Sequence, residues 1–143
     1  VLADAPLPAD AEAGAWDLHR LRLGLPDGAR DLEAEKTILL EAGFDELAGV
    51  SWTKGCYMGQ ELTARTRYRG LVKRRLVPVR GDGLPPHGTP VTSDGREVGD
   101  MRSSRDGYGL AVLRIDALDR PLEAAGVAIT PHVPAWMRMP QTV

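Results

Sequence analysis

The sequence predicts an α+β chain whose second half closes into a small antiparallel β-barrel, and three observations lead there. From Leu71 onward, short apolar runs recur between glycine and proline turns, the spacing of an all-β module that has to hide its edges. Before Gly70 the segments are richer in helix-favouring residues and lack that spacing. A chain of 143 residues, 43% hydrophobic and 27% charged, suits one ordinary globular domain or two small lobes sharing a core.

Taken in order, residues 1–13 are rich in Ala, Pro and Asp and read as a loose lead-in. Trp16 to Leu23 has mixed apolar spacing that leaves helix and strand both open. Gly24-Leu25-Pro26-Asp27-Gly28 breaks any regular element. A short helix is expected over Asp31–Leu40, one further turn over Asp45–Gly49, and an extended approach over Gly49–Trp52. Gln60–Tyr68 predicts a helix: it has no proline or internal glycine, Met58 and Leu62 are four apart, and so are Glu61 and Arg65 in the favourable order. Gly70 is a suitable left-handed stop. Leu71–Val79 reads as a basic strand, Pro85–Gly88 as a loop, and Pro90–Asp100 as a hairpin turning on Asp94-Gly95 in type I′ geometry. Tyr108–Ile115, with Tyr108, Leu110 and Val112 on one face, is a further strand, and Gly126–Ile129 continues the pattern.

One cysteine leaves no intrachain disulfide and fits a reducing cytoplasm. No apolar run approaches the ~18 residues that a bilayer span needs, and nothing at the start reads as a signal peptide, so no membrane partner is expected. The chain opens at Val1 without methionine, as a processed or engineered product does, or a piece of something longer. Its net charge of −2 is unevenly spread. Residues 1–53 carry 11 acids and 4 bases, whereas residues 54–80 carry 8 bases against Glu61 alone. The basic stretch would attract a polyglutamate tail, a phosphate or RNA; a solvated face or an ion-pair match for the acidic first third explains it equally.

Lys54-Gly55-Cys56-Tyr57-Met58-Gly59-Gln60-Glu61 is the most informative stretch. The thiolate is the reactive form of cysteine, and positive charge and a helix N-terminus favour it; Lys54 supplies the first and a helix opening near Gly59 the second. Gly55 and Gly59 let the backbone take unusual conformations and let a ligand come close. The alternative is that Cys56 is a small buried hydrophobe. His19, His87 and His132 lack metal-ligand spacing with each other or with Cys56, so no resident metal site is expected, and one cysteine cannot hold an iron–sulfur cluster alone. There is no Walker loop, dinucleotide fingerprint or nucleophile elbow.

That motif, followed by Ala64-Arg65-Thr66-Arg67-Tyr68-Arg69-Gly70, resembles the signature of the YgfZ-type proteins, folate-binding relatives of the glycine-cleavage T protein implicated in iron–sulfur cluster assembly or repair. The resemblance continues through Arg20–Pro26, Leu40–Gly43, Lys73–Leu76 and Gly99–Ser104. T proteins, which are aminomethyltransferases, usually carry an acid and a phenylalanine where Cys56 and Tyr57 stand and a basic residue at Gln60. A proline common two residues before the family's glutamate is Leu39 here.

The resemblance implies that residues 1–70 end a T-protein-like folate-binding domain and that 71–143 form the C-terminal barrel, the N-terminal half of the protein lying elsewhere. It implies tetrahydrofolate or a derivative as cofactor, Glu41 accepting hydrogen bonds from the pterin, against the alternative of a surface helix residue, and Arg22 either reaching the glutamate tail or pairing with an early acid. It implies Cys56, biased by Lys54, as the reactive centre, touching a transient iron–sulfur cluster, exchanging a disulfide or forming an adduct. Gly55, Tyr57, Gly59, Gln60 and Glu61 position that centre, with capping and pairing within their own helix as the alternative for Gln60 and Glu61, and Arg65, Tyr68 and Arg69 either line an anion surface or are simply solvated. Iron–sulfur proteins or their assembly machinery are the implied partners. Two other functions remain open: a folate-dependent aminomethyltransferase, and an RNA-binding or tRNA-modification accessory protein.

Overall fold

The computed structural model of the chain describes residues 11–70 and 72–139; most of the expected lead-in over residues 1–13 lies outside them. Trp16–Leu23 is helical, within α1 (Ala13–Leu23). Gly24, at φ 76°, ends it by donating its N–H back to the carbonyls of Arg20 and Leu21. A single turn, α2 (Gly28–Asp31), follows.

The helix expected over Asp31–Leu40 does not form; the segment runs as turns. Glu35 sits at φ 63°, where a right-handed helix cannot continue, and β-branched Thr37 and Ile38 follow it. Packing also works against it, because Leu40 and Ala42 must turn inward to be buried. Residues 45–48 make the expected turn, but Gly49–Trp52 bends and forms no strand. Helix α3 (Gln60–Tyr68) occupies the predicted residues, opening behind Gly59 at φ 85° and stopping before Gly70 at φ 60°.

Six strands make the barrel: β1 (Arg74–Arg80), β2 (Pro90–Ser93), β3 (Arg96–Arg105), β4 (Tyr108–Arg114), β5 (Leu122–Ala124) and β6 (Val127–Pro131). All pairings are antiparallel, in the closed order β1-β4-β3-β2-β5-β6. The β2–β3 turn is Asp94-Gly95 with both φ positive, as the sequence predicts for type I′. Asp106-Gly107 and Ala125-Gly126 repeat that geometry at the β3–β4 and β5–β6 turns. Gly99 leaves no room for a side chain between β3 and β4, since a Cβ built there would lie 1.9 Å from the Val112 carbonyl oxygen.

Val77, Val79, Val91, Met101, Ala111 and Leu113 fill the barrel interior. Leu76 and Leu110 belong to the opposite face, where Leu21 of α1 covers them and Tyr108 and Val112 pack alongside. Both faces of β1 and β4 are thus buried, one by the barrel and one by α1. A bulge interrupts β3 between Met101 and Ser104, and the adjacent Arg102 and Ser103 are both buried there.

Helix α1 is fastened to β3 by a buried polar network. Arg20 donates to Asp17 Oδ1 (2.8 Å), Asp31 Oδ2 (2.7 Å) and Ser103 Oγ (2.9 Å). Asp17 also receives Arg30 and, from β3, Arg105 at 2.9 Å. The Arg30 hydrogen bond above all, then those from Arg105 and Arg20, hold the Asp17 carboxyl far below the usual carboxylate range, outweighing burial. A carboxyl depressed in the folded state gives stability that is whole above the unfolded pKa of about 3.9 and is lost as pH falls toward the folded value. Asp17→Asn is therefore expected to flatten the acid limb of stability below about pH 4. Urea midpoints at pH 3 and pH 6 check this; an unchanged difference between them would rule it out.

Candidate functional site

Residues 51–59 form an exposed loop between the Trp52 turn and α3. Trp52 fixes its near end, donating from Nε1 to Asp45 Oδ1 (2.6 Å) beneath the Arg67 guanidinium, which lies 4.1 Å from the ring centroid. At the far end the Gln60 N–H closes a turn on the Tyr57 carbonyl (3.2 Å). Between these ends Cys56 is a free, exposed thiol, so the buried-hydrophobe alternative fails. Gly55 and Gly59 face open space. The Lys54 ammonium lies over the Tyr57 ring, 4.8 Å from its centroid, an arrangement that orients the lysine along the loop. Lys54, Tyr57, Met58 and Gly59 border a cavity of about 510 Å³ whose other wall includes Leu39, Val50 and Leu62. Cys56 does not line it. The Tyr57 hydroxyl is buried with no hydrogen-bond partner among the described residues.

Glu41 occupies a second cavity of about 200 Å³, with Asp100, Arg102 and Arg74 around it and Leu32, Leu76 and Val112 as its apolar wall. Its backbone carbonyl is tied to β1 by the Leu76 N–H (2.8 Å), which holds the side chain at this place. Burial pushes the Glu41 carboxyl up, with Arg74 partly opposing. Asp100 is likewise pushed up by burial, with Arg102 opposing. Arg102 bridges Glu33 (2.5 Å) and Asp100 (3.0 Å), and its Nε–H has no acceptor among the described residues. Half-buried and without a hydrogen-bonding partner among the described residues, Glu41 is suited to accept bonds from a ligand's N–H groups. Lys36 and Thr37 line both cavities, so the Glu41 site and the cysteine loop meet across one turn.

The other predicted residues are dispersed. Arg22 is not among the residues lining the Glu41 cavity; its guanidinium lies over Tyr108, 4.7 Å from the centroid, with Arg80 also on that ring. Glu61 pairs with Arg65 on the exposed side of α3, and Tyr68 and Arg69 are exposed near the end of that helix. The basic stretch is not one open surface, because Arg75 is buried against Glu46 and Arg67 reaches Asp45. No residue of α3 is buried, and Met58, Leu62 and Tyr68 expose apolar area around the loop. Asp100 and Arg102 escaped the sequence reading. The signal was present in Asp100-Met101-Arg102, two charged residues flanking a core methionine in a strand, a pattern that puts both charges on one face.

Among the described residues no three His, Cys, Asp or Glu side chains are arranged to hold a metal ion, and no helix is long and apolar enough to cross a membrane. Residues 73–139 match the family described as CAF17, C-terminal beta-barrel domain. The human protein named iron-sulfur cluster assembly factor IBA57, mitochondrial, is 39% identical over 145 residues, covering 92% of this chain and 41% of the human protein. The mouse protein of the same name is 40% identical, covering 84% of this chain and 37% of its own length. An Aspergillus clavatus homologue is 31% identical, with 86% and 33% covered. The chain thus spans about two fifths of the length of the mammalian relatives it matches.

Proposed function

The chain belongs to the CAF17/IBA57 family of the YgfZ-type, T-protein-like superfamily, and from that premise we propose that it is part of an iron–sulfur cluster assembly factor that offers the Cys56 thiol to a cluster in transit. The observation that carries this is the exposure of Cys56 on a loop between two unencumbered glycines. The names of the mammalian relatives point to the same cargo. A cluster is bound by several thiolates or their equivalents, and this chain has one cysteine. The remaining ligands must come from the partner that delivers or receives the cluster. Exposed apolar Met58, in the same loop, and Leu62, on the first turn of α3, suit contact with such a partner, an iron–sulfur protein or a component of the assembly machinery. A reducing compartment, the cytoplasm by the sequence reading, keeps Cys56 a thiol. In this reading the residues through Gly70 end a folate-binding domain completed by an N-terminal half, and residues 71–143 are its terminal barrel.

Tetrahydrofolate fits the Glu41 cavity in donor pattern and in part of its size. A half-buried carboxylate with no partner among the described residues matches the paired N–H groups of a pterin edge. A volume of about 200 Å³ holds the fused-ring head and leaves the rest of the molecule outside. Glu41 would hold that head; bound there, the folate would supply one-carbon chemistry or act as a structural ligand. Arg22 would have to meet the tail outside the cavity. Glu41→Gln is expected to weaken tetrahydrofolate binding by the complete protein about tenfold or more, since a charge-assisted bond becomes a neutral one. Above about pH 4.3 it should also preserve or raise stability, because it removes a charge that burial disfavours. Calorimetric titration with tetrahydrofolate and urea melts at pH 7 check both, and undiminished affinity would remove Glu41 from the site.

The cluster function is tested by rescue. In cells lacking the endogenous copy, the complete protein should restore a cluster-dependent enzyme, and Cys56→Ala at equal abundance should not. The aminomethyltransferase reading predicts the reverse, a dispensable cysteine. The RNA reading has only the charge of residues 54–80 behind it, and the pairing of Arg67 and Arg75 takes two of those charges away.

A further inference from the structure

The Glu41 cavity holds a second carboxylate, that of Asp100, to which the folate reading gives no task. Asp100 on β3, Val112 on β4 and Leu76 on β1 lie side by side across three neighbouring strands, and all three line the cavity. The Leu76 N–H in turn binds the Glu41 carbonyl (2.8 Å). Glu41 and Asp100 therefore stand at opposite ends of one row, with the Val112 and Leu76 side chains as the floor between them. From β3 to β1 that floor is two strand spacings wide, about 10 Å. The arrangement offers an apolar bed to a flat ring and an acceptor to each of two of its edges.

Asp100 is open to a ligand. Its side chain is 24% accessible, Arg102 Nη2 stands 3.0 Å from Oδ2, and Oδ1 has no partner among the described residues. The neighbouring cations are already engaged: Arg102 also reaches Glu33 (2.5 Å), and Lys36 pairs with Glu33 (3.2 Å). An ionised carboxylate only accepts hydrogen bonds, so this end of the cavity asks the ligand for an N–H group and is left unpaired against a bare nitrogen.

The oxidation levels of a pterin differ in that respect. The amino edge that Glu41 would hold is the same in all of them. In folic acid both nitrogens of the second ring are bare acceptors, in dihydrofolate one carries hydrogen, and in tetrahydrofolate both do. Building on the reading of this cavity as a pterin site, we infer that Asp100 is its specificity residue and selects the reduced head over the oxidised one. Against the oxidised ring the carboxylate loses water and gains no bond, and a site built to pair with an N–H discriminates strongly against an analogue that lacks it.

The test is calorimetric titration of the complete protein with folic acid, dihydrofolate and tetrahydrofolate under anaerobic conditions. The parent is expected to give a graded series, with tetrahydrofolate at least about tenfold tighter than folic acid and dihydrofolate between them. Asp100→Asn supplies an N–H that a bare ring nitrogen accepts, and should cut that preference to about threefold or less. Glu41→Gln acts on the shared amino edge, so it should weaken all three ligands by a common factor and leave the ratio unchanged. Urea melts confirm that each variant folds; Asp100→Ser, whose hydroxyl both donates and accepts, replaces the asparagine variant if that one does not. Equal affinities for folic acid and tetrahydrofolate in the parent overturn the inference. So does a preference that the Asp100 variant leaves intact while Glu41→Gln weakens binding, an outcome in which the pterin reading stands alone. Glu41→Gln without effect, or no binding of any of the three, overturns the pterin reading and the inference with it.

Discussion

Asp31→Ala is expected to remove about 3–5 kcal/mol of stability, enough to bring a domain of this size close to unfolding. The Asp31 carboxylate is fully buried and accepts from four donors: Arg20 (2.7 Å), the Asp27 N–H (2.8 Å), and the Ser103 N–H (2.9 Å) and hydroxyl (2.5 Å). Alanine strands all four and leaves Arg20, itself 2% exposed, with Asp17 beside it and the half-exposed Asp27 at 4.0 Å. The penalty is the desolvation of a guanidinium whose partner has gone, which is larger than the net worth of the pair. Asp31→Asn should fall between, because it keeps the shape and one acceptor but turns an amide toward a donor. Urea denaturation at pH 7 with matched slopes measures both. A loss below about 1 kcal/mol for Asp31→Ala would show that the network does not hold α1 on the barrel.

The same network explains why part of the fold was legible and part was not. The barrel could be read because its hairpins carry their own signals: Asp94-Gly95 sets a type I′ turn by local conformational preference, whatever packs against it. Helix α3 could be read for the same reason, since a stretch free of proline and internal glycine ran between Gly59 and Gly70. The segment 31–40 misled because its local propensity is helical while its structure is decided by distant groups. Asp31 is claimed by Arg20 and Ser103, residues 11 and 72 positions away. Strand β5 passed unnoticed because three residues carry no period. Leu76 and Leu110 look like barrel core in the sequence but face α1, and Val77 and Ala111 beside them face the interior. A strand buried on both sides loses the alternation that would assign its faces.

The candidate site divides along the same line. A thiol between two glycines ahead of a helix is a local pattern, and the loop, its exposure and the start of α3 follow from it. The neighbours of Glu41 are not local, because Asp100 and Arg102 arrive from β3 across the sheet. Arg102 and Ser103 can both be buried because the bulge after Met101 breaks the alternation of the strand. The spacing of Asp100 and Arg102 puts both charges on one face of the strand, but no spacing announces the bulge, and that this face meets Glu41 shows only once the strands are paired.

Cys56→Ala is expected to leave the chain as stable as before and to abolish rescue of a cluster-dependent enzyme to the level of the empty control. The first half follows from exposure, because the thiol fills no core volume and substitutions at such positions move stability by no more than about 0.5 kcal/mol. The second follows from what remains at the loop. Lys54 is turned onto Tyr57, Gln60 and Glu61 belong to α3, and no other soft ligand lies in the chain except methionine thioethers. Cys56→Ser sharpens the test, since serine keeps the size and a hydrogen-bonding group but is a poor ligand for iron in a sulfide cluster. If serine rescues and alanine does not, the residue acts through hydrogen bonding and the cluster-ligand proposal fails. If both rescue at equal abundance, the thiol is dispensable, and folate held by Glu41 becomes the centre of the function. If neither does while unfolding free energies from urea melts stay within about 0.5 kcal/mol of the parent, loss of fold is excluded and thiolate chemistry at Cys56 accounts for the activity.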